Sequence, residues 1–147
     1  MPTVLSYDDT HHREAVIALW RDVFDYPTAH NQPSLALERK LAVDQLLFVA
    51  MDGDTLTGTT MAGYDGHRGW LYSVAVHPHW QKHGIGAALV RHAEAALTAL
   101  GCLKINLQIT AGNDAVVGFY QRLGYVVEPR ISMGKVISTN IPGNYRP

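Results

Sequence analysis

Residues 74–97, VAVHPHWQKHGIGAALVRHAEAAL, gather several groups able to hold an anion. Gln81, Lys82 and His83 supply donors and charge, and Gly84-Ile85-Gly86 follows at once, where the composition turns to good helix formers. A helix N-terminus presents unpaired backbone N–H groups and the positive end of the helix dipole. Glycine lets a backbone come close to a ligand and adopt φ > 0. Together these make residues 81–87 a candidate cradle for a phosphate-like anion. The same residues also suit a plain helix start after a Gly-rich turn with nothing bound.

Other chemistry is less well served. A dinucleotide fingerprint needs a third glycine, where Leu89 stands, and an acid about twenty residues past Gly86, where Asn106 stands. It also wants its first glycine directly after a strand, and here residues 77–83 intervene. His77, His79 and His83 are spaced like metal ligands, but a zinc site wants a defined geometry with oriented outer groups, and no metal is expected. No G-x-S-x-G elbow is present for a hydrolase. Cys102 follows a helix-ending glycine and reads as a small buried residue. Asn113 reads as a helix N-cap, and Tyr120, seven residues on, falls on the same helical face.

These residues need elements to hold them. Thr3–Ser6 reads as a short strand. Asp8-Asp9-Thr10 supplies N-cap chemistry for a helix over 10–25, with Val16, Ile17, Trp20, Val23 and Phe24 at helical spacing and Pro27 beyond it. A loop, YPTAHNQP, precedes a second helix over 34–43. Strands over 46–51, 56–64 and 69–76 are separated by two hairpin signals, Asp52-Gly53 and Asp65-Gly66. A helix over 84–100 carries Ile85, Leu89, Ala93, Leu97 and Leu100 on one face, and Gly101 sits at its C-terminal end. Ile105, Leu107 and Ile109 alternate with Asn106 and Gln108 as a strand. A helix opened by Asn113 and Asp114 is closed by Gly124, and residues 125–137 read as one or two edge strands broken at Pro129. The order is β-α-α-β-β-β-α-β-α-β. That is an α+β fold, a mixed and mostly antiparallel sheet flanked by about four helices. No repeat or linker divides the chain, so residues 1–138 are expected to form a single domain and 139–147 a mobile tail.

Composition narrows the partners. The 147 residues carry a formal net charge of -1 and one cysteine. Near-neutral charge argues against a nucleic-acid footprint, and a single cysteine gives no disulfide framework, so a reducing, cytoplasmic setting is expected. The opening MPTVLSYDDT has no basic segment before an apolar one, so no signal peptide is expected, and no apolar run is long enough to span a membrane.

The segment Gln81-Lys82-His83-Gly84-Ile85-Gly86 resembles the Q/R-x-x-G-x-G/A loop of the GNAT superfamily of N-acetyltransferases. Val76-His77-Pro78 resembles the strand end before that loop. Asn113, Tyr120, Gly124 and Tyr125 resemble a downstream pattern of the same superfamily. The likeness spans nearly the whole chain and includes the element order. GTTMAGYDGHRGWLYSVAVHP, GCLKI and FYQRLGY look like its YpeA-like branch.

The resemblance implies acetyl-CoA as cosubstrate. Gln81, Lys82, His83, Gly84, Ile85, Gly86 and Ala87 would bind its pyrophosphate, largely through backbone N–H groups. Its amide-rich arm would lie as a pseudo-strand along Val74, Ala75 and Val76, where neighbouring strands splay. Asn113 would bond the arm, and Tyr120 would sit near the sulfur and protonate the departing thiolate. Many relatives carry a glutamate on or near the fourth strand as general base. Residues 69–76 hold none, which leaves Asp65, His67 and Tyr72 as candidates, acting through ordered water; Asp65 also suits a plain turn residue. Tyr26, His30 and Asn31 could line the acceptor site. The partners implied are an amine acceptor and, left open, a second copy as a homodimer, with no nucleic acid and no membrane. A CoA-binding sensor with little turnover is the other function class.

Overall fold

Four antiparallel strands pair in the order of the sequence: β1 (Thr3–Ser6), β2 (Leu47–Asp52), β3 (Thr55–Tyr64) and β4 (Gly69–Val76). A fifth, β5 (Ile105–Asn106), lies parallel beside β4. Helices α1 (Asp9–Val23) and α2 (Pro33–Val43) connect β1 to β2, α3 (Ile85–Ala99) connects β4 to β5, and α4 (Asp114–Arg122) follows. The structure, a computed structural model, describes residues 2–24 and 32–137. The architecture is the expected α+β sheet with four helices. Tyr26, His30, Asn31 and the 139–147 tail lie outside the described residues.

The helix starts follow from local chemistry. Asp8 caps α1, its carboxylate accepting from the Thr10 N–H at 3.1 Å. Pro33 occupies the start of α2, where its missing N–H is no loss. Val16, Leu19, Trp20 and Leu37 from these helices bury against Leu47, Val49, Met61 and Ala75 on one face of the sheet. The other face packs Phe48, Ala62 and Leu71 against Val90, Ala93 and Leu97 of α3 and Tyr120 of α4. A smaller cluster, Ala50 with Ile85 and Leu89, holds the first turns of α3 down on the sheet. Gly58 on β3 permits that approach: a Cβ there would lie 2.8 Å from the Ala75 carbonyl oxygen and 3.0 Å from Leu89. Leu100, expected on the buried face of α3, is exposed just beyond the helix end.

Three boundaries differ from the sequence reading. The β2–β3 turn is Gly53-Asp54, one residue later than the Asp52-Gly53 signal, because Asp52 still pairs with Thr55 and Gly53 takes φ +57°. β5 contains only Ile105 and Asn106, paired with Gly69 and Trp70, so the alternation through Ile109 does not become a ladder. Residues 125–137 form no strand. They are tied to the β5 region by side chains instead: Lys104 Nζ and Asn106 Nδ2 donate to Glu128 at 2.6 and 2.8 Å, and Gln108 Nε2 donates to Ser132 Oγ at 2.6 Å. Pro129, lacking an N–H, interrupts any ladder there.

Candidate active site

The centre of β4 is irregular in a defined way. Thr59 pairs with Ala75 and Met61 with Tyr72, so Ser73 and Val74 together face the single residue Thr60. This is a β-bulge, and Ser73 takes φ +48° to make it. The extra residue flips the strand's parity. Leu71 faces α3 and α4 before the bulge, and Val74 and Val76 do so after it. On its other side β4 loses its neighbour, since β5 pairs only with Gly69 and Trp70. From Leu71 onward the outward backbone groups of β4 therefore have no strand partner among the described residues. A cavity of about 240 Å³ lies here, lined by Trp70, Leu71, Tyr72, Ser73 and Gln108.

Beyond β4 the chain turns sharply before α3. The His77 N–H still reaches the Thr57 carbonyl at 2.8 Å, after which Pro78–Trp80 forms one 3₁₀ turn. The Gln81 amide donates to the Val76 carbonyl at 3.2 Å, sealing the end of the strand. Lys82 takes φ +66°, uncommon for a residue with a side chain. Gly84 is the N-cap of α3 in the left-handed region, with no side chain to cap the helix. A left-handed residue followed by helical ones points successive N–H groups into one concavity, an anion nest. Those groups belong to Ile85, Gly86 and Ala87, with Lys82 and His83 exposed beside them. The two glycines have different jobs. A Cβ at Gly84 would meet nothing within 4 Å, so its role is conformational. A Cβ at Gly86 would lie 3.1 Å from the Phe119 ring, so its role is to let α4 pack against the first turn of α3.

That packing brings α4 to the open half of β4. Asn113 caps α4, its Oδ1 accepting from the Val116 N–H at a long 3.4 Å. Tyr120, two turns later, is 7% exposed and meets Phe119 and Tyr125 edge to face. Among the described residues its hydroxyl has no hydrogen-bond partner, whereas Tyr125 donates to Glu94 at 2.8 Å. Burial pushes the Tyr120 phenol up to about 12, so it is protonated at neutral pH and able to donate.

The candidate bases are spread along β4. Asp65 lies in the β3–β4 turn, where its Oδ1 accepts from the His67 and Arg68 N–H groups at 2.8 Å each. The Arg68 bond, then the His67 bond, holds its carboxyl below the ordinary range. A carboxylate so engaged is a weak base and a good turn residue. His67 is exposed in the same turn. Tyr72 sits next to the bulge, its ring against Gly63, and burial followed by Asp65 and Asp44 pushes its phenol upward. It therefore keeps its proton near neutrality. Of the three, only Tyr72 borders the cavity. His77 and His79 stack at 5.2 Å, and the His79 N–H donates to His77 Nδ1. Among the described residues no group of three possible ligands is gathered for a metal.

A family model described as the acetyltransferase (GNAT) family matches residues 13–125. This chain belongs to the GNAT acetyltransferase family. An acetyltransferase of Yersinia pestis (strain Pestoides F) is 42% identical over 123 residues, 83% of this chain and 86% of that protein. An acetyltransferase of Pectobacterium atrosepticum is 44% identical over the same shares. Solved structures agree on the fold. The ribosomal-protein-S18-alanine N-acetyltransferase from Escherichia coli superposes with a TM-score of 0.72 at 22% identity, over 84% of this chain and 77% of that one. The aminoglycoside N-acetyltransferase AAC(6')-Iy, in complex with CoA, gives 0.76 at 18% identity, over 92% and 95%.

Within this GNAT chain the structure gathers the 81–87 loop, the Val74–Val76 edge and Tyr120 of α4 around the open half of β4. It sets Asp65 and His67 at the opposite end of the strand. Three participants in the local architecture carry no sign of their role in the sequence: Ser73, which makes the bulge, Phe119, which seats α4 on Gly86, and Gln108, which closes the cavity. The one available hint is Thr57-Gly58-Thr59-Thr60, a polar run inside an otherwise apolar strand. All three threonines are fully buried. Among the described residues no helix is long and apolar enough to cross a membrane.

Proposed function

We propose that this chain transfers an acetyl group from acetyl-CoA to a primary amine, carried by a small molecule, a protein N-terminus or a lysine. The observation that carries the reading is the junction of an uncapped helix N-terminus, an unpaired strand edge and a buried phenol with a free hydroxyl. Each matches a different part of one long cosubstrate. The N–H groups of Ile85, Gly86 and Ala87, with Lys82 and His83 beside them, suit a pyrophosphate. The outward edge of Val74–Val76, its Val76 carbonyl held by Gln81, suits an amide-bearing arm, which adds to an open edge as a strand would. Asn113, with a side-chain amide at the start of α4, suits a further bond to that arm.

Acetyl-CoA supplies the thioester carbonyl. The neutral amine attacks that carbon, an N–C bond forms and the C–S bond breaks. Tyr120 donates its hydroxyl hydrogen bond to the developing thiolate. A phenol near 12 yields its proton less readily than a thiol of about 8.5. Tyr120 is therefore chiefly a hydrogen-bond donor whose proton transfers late and is restored from the one the amine releases. Water carries that proton from the amine nitrogen to Tyr120, with Tyr72 bordering the path, and the products are the amide and the free thiol. The engaged state of Asp65 removes the nearest carboxylate from the role of base, so the enzyme relies on amine that is already neutral. The acceptor-lining roles of Tyr26, His30 and Asn31 stay part of the proposal.

The lack of a free carboxylate beside the bulge among the described residues favours a second reading, a CoA-binding sensor with little turnover. Thiol release from acetyl-CoA, measured across amines and N-terminal peptides, separates the two. Turnover that falls in Tyr120→Phe supports the enzyme. Tight CoA binding without turnover on the whole panel supports the sensor, and absence of CoA binding overturns both.

A further inference from the structure

The bulge in β4 leaves the Ser73 carbonyl without a strand partner, and the fold supplies one from an unexpected direction. The Thr59 hydroxyl on β3 donates to the Ser73 carbonyl at 3.2 Å. That same hydroxyl oxygen accepts from the Trp20 indole N–H of α1 at 2.8 Å. Trp20 is 1% exposed and Thr59 fully buried. An indole nitrogen only donates, and a threonine hydroxyl has one proton. With Trp20 occupying an acceptor site, the Thr59 proton is directed to Ser73. The chain of bonds therefore has one sense, from helix α1 through the sheet to a residue lining the cavity.

We propose that Trp20 and Thr59 are positioning residues for the cosubstrate: they hold the bulge, and through it the Val74–Val76 edge, in the shape that receives the acetyl-bearing arm. This rests on the function proposed above. Ser73 at φ +48° is in a region costly for a residue with a side chain, so something must over-determine it. The register alone does not, since Thr60, the residue opposite, is fully buried with its hydroxyl unpartnered. The Thr59 bond is the one side-chain hydrogen bond made to the bulge among the described residues.

The test uses the full chain and four variants: Thr59→Val, Trp20→Phe, Thr59→Ser and Thr60→Val. Acetyl-CoA Kd, KM and kcat are measured well below every unfolding midpoint, together with amide hydrogen exchange at Ser73, Val74 and Ala75 in the unliganded protein. Thr59→Val is expected to weaken acetyl-CoA binding about tenfold and to speed exchange at those amides. Trp20→Phe, which leaves the Thr59–Ser73 bond, should do so about threefold, in keeping with one lost donor. Thr59→Ser should restore both readouts, and Thr60→Val, one residue along, should change neither. Lower thermal stability in Thr59→Val with unchanged binding and exchange would overturn the proposal and leave a purely structural role. If the natural chain binds no acetyl-CoA, the function fails, and the exchange readout alone still supports or overturns the hold on the bulge.

Discussion

At Gly69 and Trp70, β4 has a strand on each side; from Leu71 onward, among the described residues, it has only β3. The closed end is held by packing. Gly69 faces Cys102 Sγ, Leu97 and Ile105 so closely that a Cβ would lie 2.8 Å from the sulfur. The open end is held by directed hydrogen bonds, to Ser73 from Thr59 and to Val76 from Gln81. One strand thus uses close packing where it must be stable and hydrogen bonds where its edge must stay available. The sheet divides after Trp70, and the cavity reaches from there to the bulge at Ser73.

The largest expected effect comes from the open end. Tyr120→Phe should lower kcat about a hundredfold, the low end for a positioned proton donor, with acetyl-CoA KM changed less than about threefold. The phenol's folded pKa is raised, so its contribution to stability is present below the ordinary value near 10 and is lost as pH rises toward 12. Urea unfolding at pH 8 should therefore scarcely distinguish the two proteins. At pH 11 and above Tyr120→Phe should be the more stable. A kcat that survives the substitution would remove Tyr120 from the chemistry and break the link between α4 and the open edge.

The closed end should respond in the opposite currency. Gly69→Ala pushes a methyl group into Cys102 and Leu97, and overpacking of this kind costs about 1–3 kcal/mol. Denaturant midpoints should fall while acetyl-CoA affinity stays within about twofold. Gly84→Val inverts that pattern. Its Cβ meets nothing, but a β-branched residue at φ +79° is strained, so the loop must rearrange at a cost of roughly 1–2 kcal/mol. CoA binding should weaken about tenfold, with a smaller change in unfolding midpoint. If both variants lose stability alike and neither loses affinity, the contrast between the two ends fails.

How much of this the sequence disclosed depends on the range of the interaction. The α3 N-terminus was legible because glycines, donors and helix formers are contiguous there, and the Gly84 cap is a local conformational demand. Asn113 and Asp8 were legible as caps for the same reason. Gly86 was legible as important but not for what it does, since Phe119 is thirty-three residues away in the chain. The bulge left no local sign: a serine, not a glycine, adopts the positive φ. Trp20 and Thr59, separated by 39 positions, meet only once α1 lies across the sheet. The alternation of residues 105–109 gave a face but not a ladder, because pairing needs a neighbour at hydrogen-bonding distance, and β4 and its neighbour part after Trp70.

The smallest effect sharpens the question of the base. Asp65 is the carboxylate nearest β4 in sequence, yet both of its observed bonds are made with turn N–H groups. Asparagine can accept the same bonds, so Asp65→Asn should keep kcat within about twofold, and Asp65→Ala should chiefly loosen the turn. Because its carboxyl is held below the ordinary value, the turn's contribution is present above about pH 4 and lost as pH falls through the lower folded value. Activity assays near neutrality therefore do not sense it. With no carboxylate acting as base, kcat/KM should instead follow the neutral fraction of the acceptor. For a lysine-like amine it should rise about tenfold per pH unit from pH 6 to 9, and for an N-terminal amine it should level near pH 8. A profile that levels below pH 7 for both amines, and loses that plateau in Asp65→Asn, would restore Asp65 to the chemistry and move the active centre toward the closed end of the strand.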